Sequence, residues 1–449
     1  MTILRKLIKL LAKFYFSVND ASNQKKKYIP VSGKVLNSEL LENLIDASLD
    51  MWLTTGHFNK DFEKSLREFF DHKYALTVNS GSSANLLAFS GLTSHLLGDR
   101  RIKKGDEVIC VAAAFPTTVN PIVQNGCVPV FVDVERETHN INTEQLKEAL
   151  SDKTEAIFIA HTLGNPFNLS EVKKFCEENN LWLIEDNCDA FGSKFDSKLT
   201  GTWGDIATLS FYPAHHITTG EGGAVLTSNP TLYKALLSMR DWGRDCWCPA
   251  GKDNTCGKRF SFQLGNLDPG YDHKYIYSHI GYNLKITDMQ AACGLAQIKQ
   301  VDNFIEARKQ NFQYLYNALE KYEKYFYLPK KYELADPSWF GFPITLKSDI
   351  PFKRVDLVFF LEKKGIGTRL LFGGNILRQP AYLLSDFEFR VRNSDLIKGS
   401  EIDDLVYEQL PETDYLSSNT FWLGVYPGLT EQDLSYIADS VTEFLINLD

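Results

Sequence analysis

The sequence predicts an α/β fold, with a large domain built on a mainly parallel seven-stranded sheet and a smaller C-terminal α/β domain. Three observations carry that prediction. Short apolar runs suited to buried strands recur at 74–78, 107–111, 128–134, 156–161, 181–185, 206–211 and 224–227. Amphipathic stretches at 143–150 and 170–180 lie between several of them. Such alternation builds parallel sheets covered by helices. The chain has 449 residues, 44% of them hydrophobic, which is enough for more than one core.

Taken in order, residues 1–27 read as a basic amphipathic helix, with Ile3, Leu4, Leu7, Ile8, Leu11 and Phe14 spaced between lysines and an arginine. It has no continuous apolar centre and no small-residue cleavage site, so it does not read as a signal peptide. A terminal helix packed on the body is preferred over a membrane-surface anchor. Residues 28–324 are assigned to N-terminal helices and the large domain. Leu40, Leu41, Leu44, Ile45 and Leu49 have helical spacing, 86–97 and 230–240 read as helices, and 286–324 as one or two long ones. The stretch 241–279 is rich in Gly, Asp, Tyr, Trp and Cys and has little periodicity. A long irregular segment inside a compact domain is usually functional. The small domain, 325–449, shows a strand at 339–345, a helix at 354–365 and a closing helix at 432–445.

A net charge of −9 and the absence of a basic stripe argue against nucleic-acid binding. No apolar run is long enough to span a bilayer, so no stable membrane insertion is expected. Without a secretory signal the eight cysteines belong to a reducing, cytoplasmic compartment, where clustered thiols point to metal or redox chemistry.

The strand at 74–78 runs into Asn79-Ser80-Gly81-Ser82-Ser83 and then a helix. A strand, a turn of small residues and a helix N-terminus make an anion site, although Ser and Gly also begin helices for structural reasons. Phe115, Asp186, Asp189 and His215 fall at carboxyl ends of strands, where α/β sheets bind ligands. The stretch from Ser210 to Gly223 joins two strands with an aromatic pair, a proline, two histidines and a glycine-rich turn, and it contains no lysine.

Six ordered motifs, G-D-E-V-I at 105–109, A-A-F-P-T-T at 113–118, P-V-F-V-D-V at 129–134, I-E-D-N-C-D at 184–189, S-F-Y-P at 210–213 and G-Y-N-L-K-I-T-D-M-Q-A-A at 281–292, resemble the DegT/DnrJ/StrS sugar aminotransferase family. The resemblance covers about residues 30–445. It implies the type I aminotransferase fold of pyridoxal-phosphate-dependent transferases. It further implies that Asp186 pairs with the pyridine nitrogen, that Phe115 stacks on the ring, and that Gly81, Ser82 and Ser210 hold the phosphate. Asn283 would reach the neighbouring subunit's phosphate site, which implies a homodimer. Asp189 stands where the common pattern has glutamine. His215 stands where the family has its Schiff-base lysine. Imidazole has no primary amine but moves protons near neutral pH, so His215 is the candidate catalytic base and His216 the packed neighbour.

The histidine form resembles the sugar 3-dehydratases. One branch is cluster-free and acts on a GDP sugar. The other carries a 2Fe–2S cluster and acts on CDP-4-keto-6-deoxy-D-glucose. Cys188, Cys246, Cys248 and Cys256 reproduce the second branch's spacing, with residues 189–245, then Trp247, then 249–255 between them. Four thiolates suit such a cluster, and the spacing differs from paired zinc knuckles. The resemblance then implies pyridoxamine phosphate as cofactor and an NAD(P)H-dependent flavin and iron–sulfur reductase as partner. It also makes Arg369, Asn375 and Arg378 candidate substrate contacts, arginine forks suiting phosphate oxygens. A catalytically silent scaffold is the reading from a different class.

Overall fold

The computed structural model describes residues 3–18 and 28–448. Its large sheet has nine strands in the spatial order Tyr74–Val78, Gly223–Thr227, Ile206–Ser210, Trp182–Asp186, Thr154–Ala160, Glu107–Val111, Val128–Val132, Glu388–Val391 and Ile397–Lys398. The first seven are the strands expected from the apolar runs. Neighbours from Ile206–Ser210 across to Glu388–Val391 pair in parallel. Gly223–Thr227 runs antiparallel to both its neighbours. The residues joining it to Ile206–Ser210, 211–222, form no helix that could carry a crossover, and the chain reverses direction. The central strands are buried along their whole length, which is why they read as unbroken apolar runs.

The eighth and ninth strands come from the segment assigned to the small domain. Arg390 and Val391 pair with Val130 and Phe131, Phe389 and Val391 are fully buried, and the Phe389 and Phe131 rings lie 5.7 Å apart. Four residues of mixed polarity, Glu388-Phe389-Arg390-Val391, carry too little pattern to be read as a core strand.

A second, all-antiparallel sheet contains Phe326–Tyr327, Gly341–Leu346, Thr420–Gly424 and Arg369–Leu370. Helices Val301–Leu319, Arg354–Lys363 and Glu431–Ile446 close a separate core around Leu315, Phe342, Leu361, Phe421 and Val441. Phe312, Leu315 and Leu319 join this core from before residue 325.

Of the helices, α1 (Ile3–Val18) lies on α2 (Ser38–Asp50), followed by α3 (His57–Phe70) and α4 (Gly81–Leu92). The rest of the expected 1–27 segment is outside the described residues. Helix α4 starts five residues before its expected position because Ser80 caps it, its hydroxyl accepting from the Ser83 N–H at 3.0 Å. The stretch 286–324 divides into Asp288–Gln297 and Val301–Leu319, with one-turn 3₁₀ segments after each. Residues 241–279 are loop with one short 3₁₀ turn, His273–Tyr275.

Candidate active site

The strand Trp182–Asp186 ends on a buried carboxylate. Asp186 Oδ2 accepts from Asn85 Nδ2 at 2.8 Å and Thr118 Oγ1 at 2.7 Å, and Oδ1 accepts from the Cys188 N–H at 3.2 Å. Thr208 Oγ1 donates in turn to Asn85 Oδ1 at 2.6 Å, fixing which way the Asn85 amide faces. Among the described residues no Lys, Arg or His forms an ion pair with Asp186. A buried anion held only by neutral donors suits a cationic ligand atom. Next to it, buried Glu185 accepts from the backbone N–H groups of Gly201, Trp203 and Gly204 and contacts His161 Nε2 at 3.0 Å, bracing the strand end.

Helix α4 begins beside Ser210. A Cβ on Gly81 would lie 2.5 Å from Ser210 Cβ, so the cradle accepts only glycine there. Helical geometry leaves the Gly81 and Ser82 N–H groups without intrahelical acceptors, and Ser82 is exposed. Phe115 precedes the helix Pro116–Gln124 and is 52% exposed, leaving ring area for a ligand. The cradle, the aromatic ring and the buried carboxylate fit pyridoxamine phosphate. Asn283 is exposed, accepts from Lys285 Nζ at 2.7 Å and bridges to Asp241.

His215 and Asp189 meet, a pairing not expected from the sequence: Nδ1 lies 3.3 Å from Asp189 Oδ1, at ion-pair distance, though not aligned as a hydrogen bond. Burial raises the Asp189 carboxyl, with His215 opposing that shift. His216 is the packed neighbour. Its Nε2 meets the Ser338 carbonyl at 2.8 Å, and burial, with Arg308 nearby, holds it well below the usual imidazole range.

Sequence reasoning missed Arg308. This fully buried side chain donates to the carbonyls of Trp339 and Phe340 at 3.2 Å and of Ala214 and His215 at 3.5 and 3.4 Å. It ties the histidine loop to the strand that enters the small domain. Burial lowers it to about 9, with Asp189 opposing. Helical spacing on Val301–Leu319 marks position 308 as inward-facing, and an inward arginine was the available signal. Asn85, Thr118 and Thr208 carried no comparable signal, since they converge only through the sheet order.

The expected four-cysteine set is not assembled. Cys246, Cys248 and Cys256 line one small cavity with Asp253, Asn254, Arg259, His273 and Lys274, and Cys188 is not among its walls. Against the upward push of burial, hydrogen bonds from Thr255 hold the Cys248 thiol below its ordinary range. Cys188 is pushed well up by burial and then by Asp186. Among the described residues no three His, Cys, Asp or Glu side chains form a metal-holding group. The segment between Trp182–Asp186 and 246–256 carries two strands and a helix, Ile206–Ser210, Gly223–Thr227 and Pro230–Arg240, so the spacing matches without bringing the four sulfurs together in this conformation.

Of the candidate substrate contacts, Arg369 is exposed, its Nη1 donating to the Thr368 carbonyl. Asn375 is buried and caps a 3₁₀ turn, while its amide donates to Asp414. Arg378 forms a two-pronged pair with Asp414 at 2.6 and 2.7 Å and lies over Tyr407. Gly373 and Ile376 bond to the carbonyls of Ala114 and Ala112, which sets this loop beside the chain leading into Phe115.

Residues 35–442 match the DegT/DnrJ/EryC1/StrS aminotransferase family. The chain belongs to that family. A lipopolysaccharide biosynthesis protein RfbH from Salmonella typhimurium is 55% identical over 93% of this chain and 91% of its own length. A dTDP-4-dehydro-2,6-dideoxy-D-glucose 3-dehydratase from Saccharopolyspora spinosa is 50% identical over 92% and 86%. The solved structure of an E. coli GDP-4-keto-6-deoxy-D-mannose-3-dehydratase with bound hydrated PLP superposes with TM-score 0.80 at 30% identity, covering 92% of this chain and 99% of that one. The fold is that of the pyridoxal-phosphate-dependent aminotransferases. Among the described residues no helix is long and apolar enough to cross a membrane.

Proposed function

We propose that this protein is a pyridoxamine-phosphate-dependent nucleotide-sugar 3-dehydratase that removes the C3 hydroxyl of CDP-4-keto-6-deoxy-D-glucose in the cytoplasm, a step towards 3,6-dideoxyhexoses of lipopolysaccharide O-antigen. The observation that carries the reading is a histidine at 215, paired with Asp189 beside an intact Asp186 site. The relatives named as 3-dehydratases support it.

Bound here, pyridoxamine phosphate supplies a primary amine for the substrate ketone and a ring that draws electrons. Asp186 faces the ring nitrogen, its oxygens held by Asn85, Thr118 and the Cys188 N–H. The Gly81 and Ser82 N–H groups and the Ser210 hydroxyl hold the phosphate, and Phe115 covers a ring face. Asp189 faces His215 at Nδ1, so Nε2 is the atom that takes a proton from the carbon beside the ring and returns it to the departing C3 hydroxyl. Arg369, Asn375 and Arg378 are proposed to border the nucleotide and sugar. Asn283 is proposed to complete a second subunit's phosphate site in a homodimer.

Cys188, Cys246, Cys248 and Cys256 are proposed to hold a 2Fe–2S cluster, which supplies one-electron transfer. Three of these thiols already share a cavity. Ligation by the fourth requires the loop to approach and Cys188 to lose its proton against burial. The reaction balances as loss of one water and gain of two electrons and two protons, the electrons coming from an NAD(P)H-dependent flavin and iron–sulfur reductase. The separate position of Cys188 favours a cluster-free dehydratase as the second reading, and the Saccharopolyspora relative makes a dTDP sugar the competing substrate.

Anaerobic purification with iron and sulfide assays, followed by turnover of the CDP, dTDP and GDP ketosugars, tests both. About two iron and two sulfide per chain, lost in Cys246→Ser, with preference for the CDP sugar, is the expected result. An iron-free protein that still dehydrates would overturn the cluster and leave the histidine chemistry standing. A protein that transfers amino groups would overturn the dehydratase reading.

A further inference from the structure

Helix α1 turns two cations inward, between the partly covered Ile8, Ala12 and Phe16. Its charged face looks inward: Arg5 pairs with Asp46 at 2.8 Å and Asp50 at 2.7 Å, and Lys9 pairs with Asp46 at 2.6 Å. These contacts fix the helix on α2. The opposite face carries Ile3, Leu4, Leu7, Leu11, Phe14 and Val18, each between 50% and 87% exposed. At 3.6 residues per turn these six positions fall within an arc of about 100°. Lys6 and Lys13 stand exposed along one edge of that arc. Residues 1–18 contain no acidic side chain, and Lys25, Lys26 and Lys27 follow closely in the sequence of a chain whose net charge is −9. Amphipathic helices on globular proteins normally turn the apolar stripe inward. Here the ion pairs to α2 hold it out.

We propose that this face docks on an anionic lipid surface, with the apolar stripe in the headgroup–acyl boundary and the lysines on lipid phosphates. Charge and area favour this occupant. The basic edge complements anionic headgroups. A helix of 16 residues is about 24 Å long, and a stripe about 10 Å wide offers roughly 240 Å², well below the about 800 Å² per partner of a stable protein interface. Interfacial helices need no such area, because the stripe inserts into the bilayer surface.

The test is co-sedimentation of the full-length holoenzyme with phosphatidylcholine vesicles, with and without phosphatidylglycerol. Binding is expected only with phosphatidylglycerol and is weakened by salt. Lys6→Gln with Lys13→Gln should weaken it roughly fivefold per lysine. Leu7→Glu with Leu11→Glu should reduce it at least about tenfold, because two carboxylates would enter the boundary. Both variants keep the helix-to-α2 ion pairs, and unchanged melting and cofactor binding confirm an intact fold. Absence of binding to the anionic vesicles overturns the proposal, as does binding that survives both variants. A fall in molar mass of the Leu7→Glu, Leu11→Glu protein, with no vesicle binding by the unmodified chain, assigns the face to a second copy and also overturns it.

Discussion

Gly81→Ala is a small perturbation with a calculable consequence. The added Cβ would sit 2.5 Å from Ser210 Cβ, 2.8 Å from its Oγ and 3.2 Å from its Cα. Ordinary carbon–carbon contact is about 3.5–4.0 Å, so roughly 1 Å of separation must be created. The strand cannot supply it: Ser210 pairs with Gly223, and a Cβ at Gly223 would itself lie 2.5 Å from the Ser80 carbonyl oxygen. The start of α4 must therefore move, taking the Gly81 and Ser82 N–H groups off the phosphate position. Overpacking costs about 1–3 kcal/mol of stability. Loss of one charge-assisted hydrogen bond costs about 1.5–3 kcal/mol of cofactor binding, or roughly a 10–100-fold rise in Kd. The assay is fluorescence titration with pyridoxamine phosphate and, separately, with pyridoxamine, which lacks the phosphate. The phosphorylated ligand should lose affinity and the unphosphorylated one should not. Equal loss for both would show general distortion, and unchanged affinity for pyridoxamine phosphate would refute the cradle.

Three further outcomes follow from the same geometry. Asp186→Asn should cost about 1–3 kcal/mol, because an amide group would face donors from Asn85, Thr118 and the Cys188 N–H; thermal melting reads the loss, and cofactor-dependent turnover should fall with it. Arg308→Met removes a cation that lowers the Asp189 carboxyl, so the acid limb of the turnover–pH profile should move to higher pH, while Arg308→Lys should restore most of it; an unmoved limb in the methionine variant would show that Arg308 is only structural. His139 is buried and held at about 4 by burial, below the unfolded value near 6.5. The unfolded chain thus binds the extra proton first, and stability present above about pH 6.5 falls as pH drops towards 4, by about 3 kcal/mol for this group. Its φ of 59° suits asparagine, so His139→Asn should fold and flatten that slope in urea titrations at stepped pH.

What the sequence made legible has a physical pattern. The strands Glu107–Val111, Val128–Val132, Trp182–Asp186, Ile206–Ser210 and Gly223–Thr227 are buried on both faces, so each is an apolar run whose meaning does not depend on its neighbours. Asp186 was readable as the last residue of such a strand and His215 as the fifth residue after one, each at a position that the family's motifs mark. Asn85 and Thr208 were not, because they meet only once Ile206–Ser210 lies beside Trp182–Asp186 and α4 packs across both. The strand Glu388–Val391 escaped because pairing with Val128–Val132, and not its own pattern, makes it a strand. Arg308 belongs to the same class: its reason for being charged lies in four carbonyls from two distant loops. The cysteines mark the opposite limit. Their spacing is a one-dimensional fact, and the 57 residues between Cys188 and Cys246, which include the strands Ile206–Ser210 and Gly223–Thr227 and the helix Pro230–Arg240, can satisfy it while leaving the sulfurs apart. Ordering the irregular 241–279 segment against Cys188 requires some contact to repay its entropy. Among the described residues, Cys246, Cys248 and Cys256 share such a contact through their common cavity, with Thr255 on Cys248. A cluster bound to all four would supply the missing contact itself, which makes loop order, and not only iron content, a measurable consequence of ligation: proteolysis between 246 and 283 should slow when iron and sulfide are reconstituted, and cleavage that proceeds at the same rate would mean Cys188 takes no part.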